Sequence, residues 1–203
     1  MNRPDGIDGL VMDTSETSAP ADARTRILDA VEALVVRKGV TGLTLEAAAR
    51  EAKVSKGGLL YHFASKEALL IGVMQRLAET VTRDYEDGVA LQPEGRGRAA
   101  RAQLAWAFGE ADCSPGQDKN DRMAAVCLAA FHHDPVLLDP LRVVIERMKA
   151  DLIADGIPHG VAMTIQTATD GLFMAHLFGM YRPTEADILA LRGTLIALLD
   201  QRP

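Results

Sequence analysis

The sequence predicts an all-α protein of about nine helices, and three observations carry that prediction. Apolar residues recur three and four apart through most of the chain. A serine or threonine repeatedly stands just ahead of such a run, where its hydroxyl can accept a backbone N–H. No stretch alternates apolar and polar residues with β-branched enrichment between hairpin turns.

Residues 1–21 hold Gly, Ser, Thr, Pro and acids with no apolar period, so they read as a mobile tail that cannot offset its own ordering entropy. From Ala23 a first helix follows, with Ile27, Leu28, Val31, Leu34 and Val35 on one face and Gly39 as its stop. Thr44 precedes a second helix over Leu45 to Ala52, and Ser55 a third over Lys56 to Phe63. Ser65 opens a long fourth helix reaching about Asp87. Beyond it Pro93 to Gly97, Ser114 to Gly116, Asp134-Pro135, Gly156 to Pro158 and Arg182-Pro183 divide the rest into further helices. The expected organisation is a tail at 1–21, a head at 22–70 and a helical body at 71–203.

Composition excludes several function classes. The 203 residues carry 22 basic and 28 acidic side chains, a formal charge of −6, which does not suit a protein that coats nucleic acid with its whole surface. The charge is uneven, however: residues 22–70 hold eight basic and six acidic side chains, against thirteen and eighteen in residues 71–203. The basic excess is therefore local to the head. No apolar run approaches the roughly 18 residues of a membrane span, and the N-terminus lacks the basic start and apolar stretch of a secretory signal. Cys113 and Cys127 read as free thiols of a reducing compartment, so the expected location is the cytosol.

The window Thr44 to Leu70 sets two short helices either side of a turn of about three residues. That is helix-turn-helix spacing, in which the second helix is short enough to lie in a major groove with its N-terminal residues at base edges. Its start has matching chemistry. Ser55 offers a hydroxyl, Lys56 a cation, and Gly57 and Gly58 remove side chains that would hold the helix off another molecule. A glycine weakens a helix interior by about 0.5–1 kcal/mol, so a Gly-Gly pair there calls for a reason such as close approach.

At these residues the sequence resembles the N-terminal domain of the TetR family of bacterial transcriptional regulators. The resemblance covers about Arg24 to Met74 and rests on Ile27-Leu28, Gly39, Thr44-Leu45 and the run Val54-Ser-Lys-Gly-Gly-Leu-Leu-Tyr-His-Phe63, followed by Ser65-Lys66-Glu67 and Leu69. The remainder matches only in helix count and length. The resemblance implies a homodimer with two small heads that bind double-stranded DNA and larger bodies that often bind a small molecule. It implies phosphate contacts at Thr44, at Tyr61 or its neighbour His62, and at Lys66, with base readout at Lys56, Gly57 and Gly58 and Ser55 as cap. Leu45, Ala48, Val54, Leu59 and Phe63 would form the head's core. Two departures stand out: Gly58-Leu59-Leu60 where many relatives have Thr-Leu-Tyr, and Lys53 where many have a glycine in the turn. A left-handed conformation costs a lysine about 1 kcal/mol, and a lysine there also offers a phosphate contact.

In the body, Ala168, Gly171, Ala175 and Gly179 form a small-residue row that lets another helix approach. Thr184 and Asp187 open a final helix with an apolar stripe of Ile188, Leu191, Leu195 and Leu198. The resemblance implies that these last two helices pair with those of a second copy; an ordinary helix pair inside one monomer would show the same pattern. Trp106, Phe131, Met163, Phe173 and Met174, with the polar Asp170 and His176 among them, are candidates to line a ligand pocket, although Met and Phe at helical spacing also make plain core.

His132-His133-Asp134 does not suit a metal, because neighbouring helical residues point about 100° apart rather than along one face. No Gly-x-Ser-x-Gly elbow and no Gly-rich phosphate loop after a strand occurs, so neither an enzyme nor a cofactor is expected. The expected function is a dimeric one-component repressor that binds a pseudo-palindromic operator and is released by a small molecule. An activator or architectural protein with the same head, or a helical ligand-binding module without specific DNA binding, are the alternatives.

Overall fold

The computed structural model describes residues 22–108 and 117–201, with the backbone alone for 117–120. The expected N-terminal tail and the loop holding Cys113 lie outside the described residues. Within them the fold is all-α with no strand: α1 (Ala23–Lys38), α2 (Leu45–Glu51), α3 (Lys56–His62), α4 (Lys66–Ala90), α5 (Arg98–Phe108), α6 (Gln117–His133), α7 (Asp139–Ala154), α8 (His159–Leu177) and α9 (Glu185–Asp200). Single 3₁₀ turns at Val40–Gly42 and Pro135–Leu138 lead into α2 and α7. No helix among the described residues is long and apolar enough to cross a membrane.

Helix starts fall where side-chain oxygens can take the free N–H groups of a first turn. Asp22 accepts from Thr25, Thr44 from Ala47, Ser55 from Gly58 and Ser65 from Ala68, at 2.7, 3.0, 3.0 and 3.1 Å. Thr184 and Asp187 form a reciprocal capping box at α9. At α5 the cap comes from elsewhere in the chain: the Asp155 carboxylate, just past α7, accepts the Ala100 N–H at 2.8 Å.

Two apolar cores hold the helices together. The first runs from Ile27, Leu28 and Val31 of α1 through Ala48, Leu59 and Phe63 to Leu69, Val73 and Val81 of α4, and on to Met123, Cys127 and Met148 of the body. The second joins α5, α7, α8 and α9 through Ala100, Leu104, Leu152, Ile165, Leu195 and Leu199. The division expected at residue 70 falls inside α4, so a continuous helix, rather than a linker, joins head and body. Arg76 of α4 reinforces the joint by donating to Asp29 at 2.6 Å and, through Nε, to Glu32 at 3.1 Å, both on α1. Tyr85 of α4 donates to Asp151 of α7 at 3.1 Å, and burial with that carboxylate pushes its phenol well above the usual range.

Candidate nucleic-acid interface and ligand cavity

The turn between α2 and α3 has a definite geometry. Val54 N–H donates to Ala49 C=O at 3.0 Å and Lys53 N–H to Arg50 C=O at 3.3 Å, the paired bonds of a Schellman motif. That motif needs a left-handed residue at its corner, and Lys53 supplies it at φ 54° where glycine is the usual choice. The exposed Lys53 side chain consequently stands at the outer edge of the turn.

The turn aims α3 so that one side closes on the head and the other is open. Leu59 is fully buried and Phe63 5% exposed, with Leu45 and Val54 packed against the same core. Truncating Leu59 to alanine is expected to cost about 2–5 kcal/mol. On the open side, a Cβ added at Gly57 would meet nothing within 4 Å, and one at Gly58 would meet only the Ser55 hydroxyl at 3.2 Å. Tyr61 is 85% exposed and sits edge-on to the exposed His62, ring centroids 5.0 Å apart.

Two of the site's three lysines, Lys56 and Lys66, are engaged within the head. Lys56 Nζ lies 2.7 Å from Glu46 Oε1 on α2, an exposed pair whose hydrogen bond holds the Glu46 carboxyl below its ordinary range. Lys66 Nζ donates to the Val40 carbonyl at 2.6 Å, partly buried, and so ties the start of α4 to the turn before α2. Arg24 was not singled out in the sequence; its guanidinium stacks 5.6 Å over the Phe63 ring, which places a cation at the end of α3. The pair Arg24 and Arg26 in the first turn of α1 is the sequence signal that points to it.

In the body, two cavities share a wall of Val81, Trp106 and Met123. The head-side cavity, about 470 Å³, lies between α1, α4, α5 and α6 and carries Asp29, Glu32, Asp84, Arg76 and Arg122. The second, about 60 Å³, is walled mostly by apolar side chains, among them Leu141, Met148 and Phe173, with Gln103, Gln166, Thr169 and Asp170 on one side.

Of the expected pocket residues, Trp106, Asp170 and Phe173 come together in this second cavity. Phe131 and Met174 point outward, 53% and 42% exposed. Met163 stands one turn before the lining stripe Gln166, Thr169, Asp170 and Phe173 of α8, and His176, one turn after it, pairs with Asp121 at 2.8 Å. These four do not line the cavity: Phe131 and Met174 face solvent, while Met163 and His176 share the face of the lining stripe but lie a turn beyond its ends along α8. The polar trio of Gln103, Gln166 and Thr169 escaped the sequence reading, since neutral polar residues in apolar helices carry no distinctive spacing.

For the expected pairing face, Gly171 and Gly179 are exposed, and Ala168, Ile188, Leu191 and Leu198 half-buried. Ala175 and Leu195 correct the expectation: they are 5% and 1% exposed and lie inside the subunit, Leu195 in the second core. Phe178, Met180, Tyr181 and Leu189, exposed at 55–69%, supply an outward apolar surface instead. His133 faces Glu67 at 3.9 Å, and among the described residues no group of three His, Cys, Asp or Glu is placed to hold a metal.

Comparison with known proteins bears on both parts of the molecule. The family model for bacterial regulatory proteins of the tetR family matches residues 27–73, and the model for the tetracyclin repressor-like C-terminal domain matches residues 97–200. The HTH-type transcriptional repressor KstR of Rhodococcus jostii (strain RHA1) is 34% identical over 92 residues, which are 45% of this chain and 41% of that protein. The match thus spans less than half the length of that relative. Among solved structures, the multidrug binding protein EbrR complexed with malachite green is 26% identical over 89% of this chain and 100% of that one, with a TM-score of 0.65. A TetR family member from Streptomyces coelicolor A3 is 26% identical with the same coverage and a TM-score of 0.66.

Proposed function

The chain belongs to the TetR family of bacterial transcriptional regulators, and from that premise we propose that it is a cytosolic one-component repressor. It binds a pseudo-palindromic operator as a homodimer and is released by a small-molecule ligand. The observation that carries the reading is the bare start of α3: a Ser55-capped helix, aimed by a left-handed turn, whose Gly57 leaves open space on the side away from the head's core. Such a helix can press its N-terminal turn against base edges.

Lys56 and the two glycines then read bases, while Thr44, Lys53, Tyr61 and His62 meet phosphates. Lys56 must leave Glu46, and Lys66 must leave the Val40 carbonyl, to reach the DNA. Pairing through the apolar surface of Phe178, Met180, Tyr181 and Leu189, with Gly171 allowing close approach, sets two heads about 34–36 Å apart for successive major grooves. The ligand site is the pair of cavities around Trp106, and EbrR, a similar structure, was solved with malachite green bound. A ligand that prefers the body conformation with misplaced heads weakens operator binding by its differential affinity for the two forms.

The test is selection of genomic DNA fragments on the purified protein at low and moderate salt. Enrichment of a palindrome is expected. Salt-sensitive retention without enrichment overturns the repressor reading, because phosphate contacts alone carry no sequence information.

A further inference from the structure

Resting on the reading of the body as a ligand receiver, we infer that the pair of cavities around Trp106 takes an apolar amine, held at the smaller, apolar one by its protonated N–H donor. The argument begins with a hydrogen-bond chain whose direction is fixed. Thr169 donates its hydroxyl hydrogen to its own helix, with Ile165 C=O at 3.0 Å and Gln166 C=O at 3.0 Å. Having one hydrogen, that hydroxyl must accept from its other neighbour, so the group 2.8 Å away on Gln103 is the amide NH₂. Gln166 is oriented in the same way: its NH₂ donates to both Asp170 oxygens at 2.9 Å, which turns its own oxygen toward Gln103 at 3.3 Å.

The chain therefore has acceptors at both ends. At one end Gln103 Oε1 is left without a partner although Gln103 is only 3% exposed and lines the cavity. At the other, the exposed Asp170 carboxylate accepts from Gln166 and lines the same cavity. A buried acceptor without a donor is costly, so a ligand that brings an N–H recovers that cost while one that brings a carboxylate adds to it. The negative charge of Asp170, exposed at the cavity's edge, favours a cation over a neutral donor, through an attraction that water screens. The adjoining head-side cavity does not reverse this sign, since its three carboxylates outnumber its two guanidinium groups. Trp106 Nε1, on the wall the two cavities share, is, among the described residues, the other buried side-chain polar atom without a partner, and it calls for an acceptor oxygen on the ligand's body. The apolar remainder packs on Phe173, Met148 and Leu141.

Trp106 is the chain's one tryptophan, so its emission reports the site without a label. Three probes share a phenyl ether skeleton: 4-phenoxybutylamine, 4-phenoxybutyrate and butyl phenyl ether. The amine is expected to change Trp106 emission saturably and to bind about tenfold or more tightly than either of the others. Gln103→Leu should weaken the amine and leave the ether unchanged, and Asp170→Asn should narrow the gap between amine and carboxylate. If the carboxylate binds as well as the amine, or the ether does, the amine assignment is overturned while the cavity stands as a ligand site. If none of the three alters the emission, the ligand-receiver reading of this cavity falls with it. The comparison of the three probes on the unmodified protein decides these outcomes even if a variant fails to fold.

Discussion

Replacing Gly57 by alanine should make the head slightly more stable and its operator binding weaker, two effects that are opposite in sign and measured separately. A Cβ at this position would meet nothing within 4 Å, and the residue lies in the first turn of the seven-residue α3. In the free protein the substitution therefore adds helix propensity without a clash, worth about 0.5 kcal/mol so near the helix start. On DNA the same methyl occupies space that the bare helix leaves for base edges. Holding the helix back disrupts direct readout, where one good base contact is worth about 1–3 kcal/mol, or roughly fivefold to 150-fold in affinity. Urea unfolding reads the first effect, and anisotropy of a labelled operator at fixed salt reads the second. Gly58→Ala serves as the control, because its Cβ would crowd the Ser55 hydroxyl at 3.2 Å and disturb the cap, removing the gain in stability. A Gly57→Ala protein that binds operator as tightly as the unmodified one would refute the placement of α3 in the groove.

Gly72→Ala should lower the urea midpoint, by about 1–3 kcal/mol in stability, because its Cβ would come within 2.7 Å of Phe63 and 3.1 Å of Leu28 in the first core; an unchanged midpoint would mean that the Phe63 ring yields freely. Lys66→Met should cost about 1–2 kcal/mol for the lost bond to the Val40 carbonyl, and the slope of log affinity against log salt should fall by about one if the lysine also reaches a phosphate. Leu189→Glu puts a charge on a residue 58% exposed and should leave helicity intact while producing monomers in sedimentation; a surviving dimer would move the pairing surface elsewhere. Burial pushes the Cys127 thiol up to about 11. The unfolded chain releases that proton first, so its contribution to stability is full below about pH 8.5 and declines from there to the folded value. A Cys113→Ser protein should accordingly react with thiol reagents at neutral pH only as fast as it unfolds.

Much of the head was legible because its signals are local. Thr44, Ser55 and Ser65 each lie next to the N–H groups they cap, and Lys53 stands in the turn where many relatives have a glycine, the position the structure finds left-handed. Spacing along a single helix also predicted the buried stripe of α1. What was not legible depends on contacts between segments distant in sequence. Lys66 reaches back 26 residues to Val40, Arg76 reaches 44 and 47 residues to α1, and the Gln103 bonds to Gln166 and Thr169 cross 63 and 66. Periodicity places Ala175 and Leu195 on an apolar stripe, but an apolar stripe can face the subunit's own core or a second copy, and these two face the core.

The joint between head and body has a mechanical consequence for the proposed release. No flexible linker separates them: α4 starts at the Ser65 cap in the head, carries Gly72 against Phe63, and ends 25 residues later in the body. A helix of that length is about 37 Å long, so a tilt of about 5° imposed at its body end displaces the head by about 3 Å. In the proposed dimer, two heads that have to match grooves about 34–36 Å apart tolerate such displacements poorly. The head-side cavity lies along this lever, with α1 on one wall and Arg76 tying α1 to α4 through Asp29 and Glu32. A ligand that spreads that wall acts on the first helix of the head as well as on α4. In the proposed mechanism the ion pairs that tie α1 to α4 are then the ones a ligand must outweigh, and weakening them with Arg76→Gln should lower the ligand concentration needed to release operator.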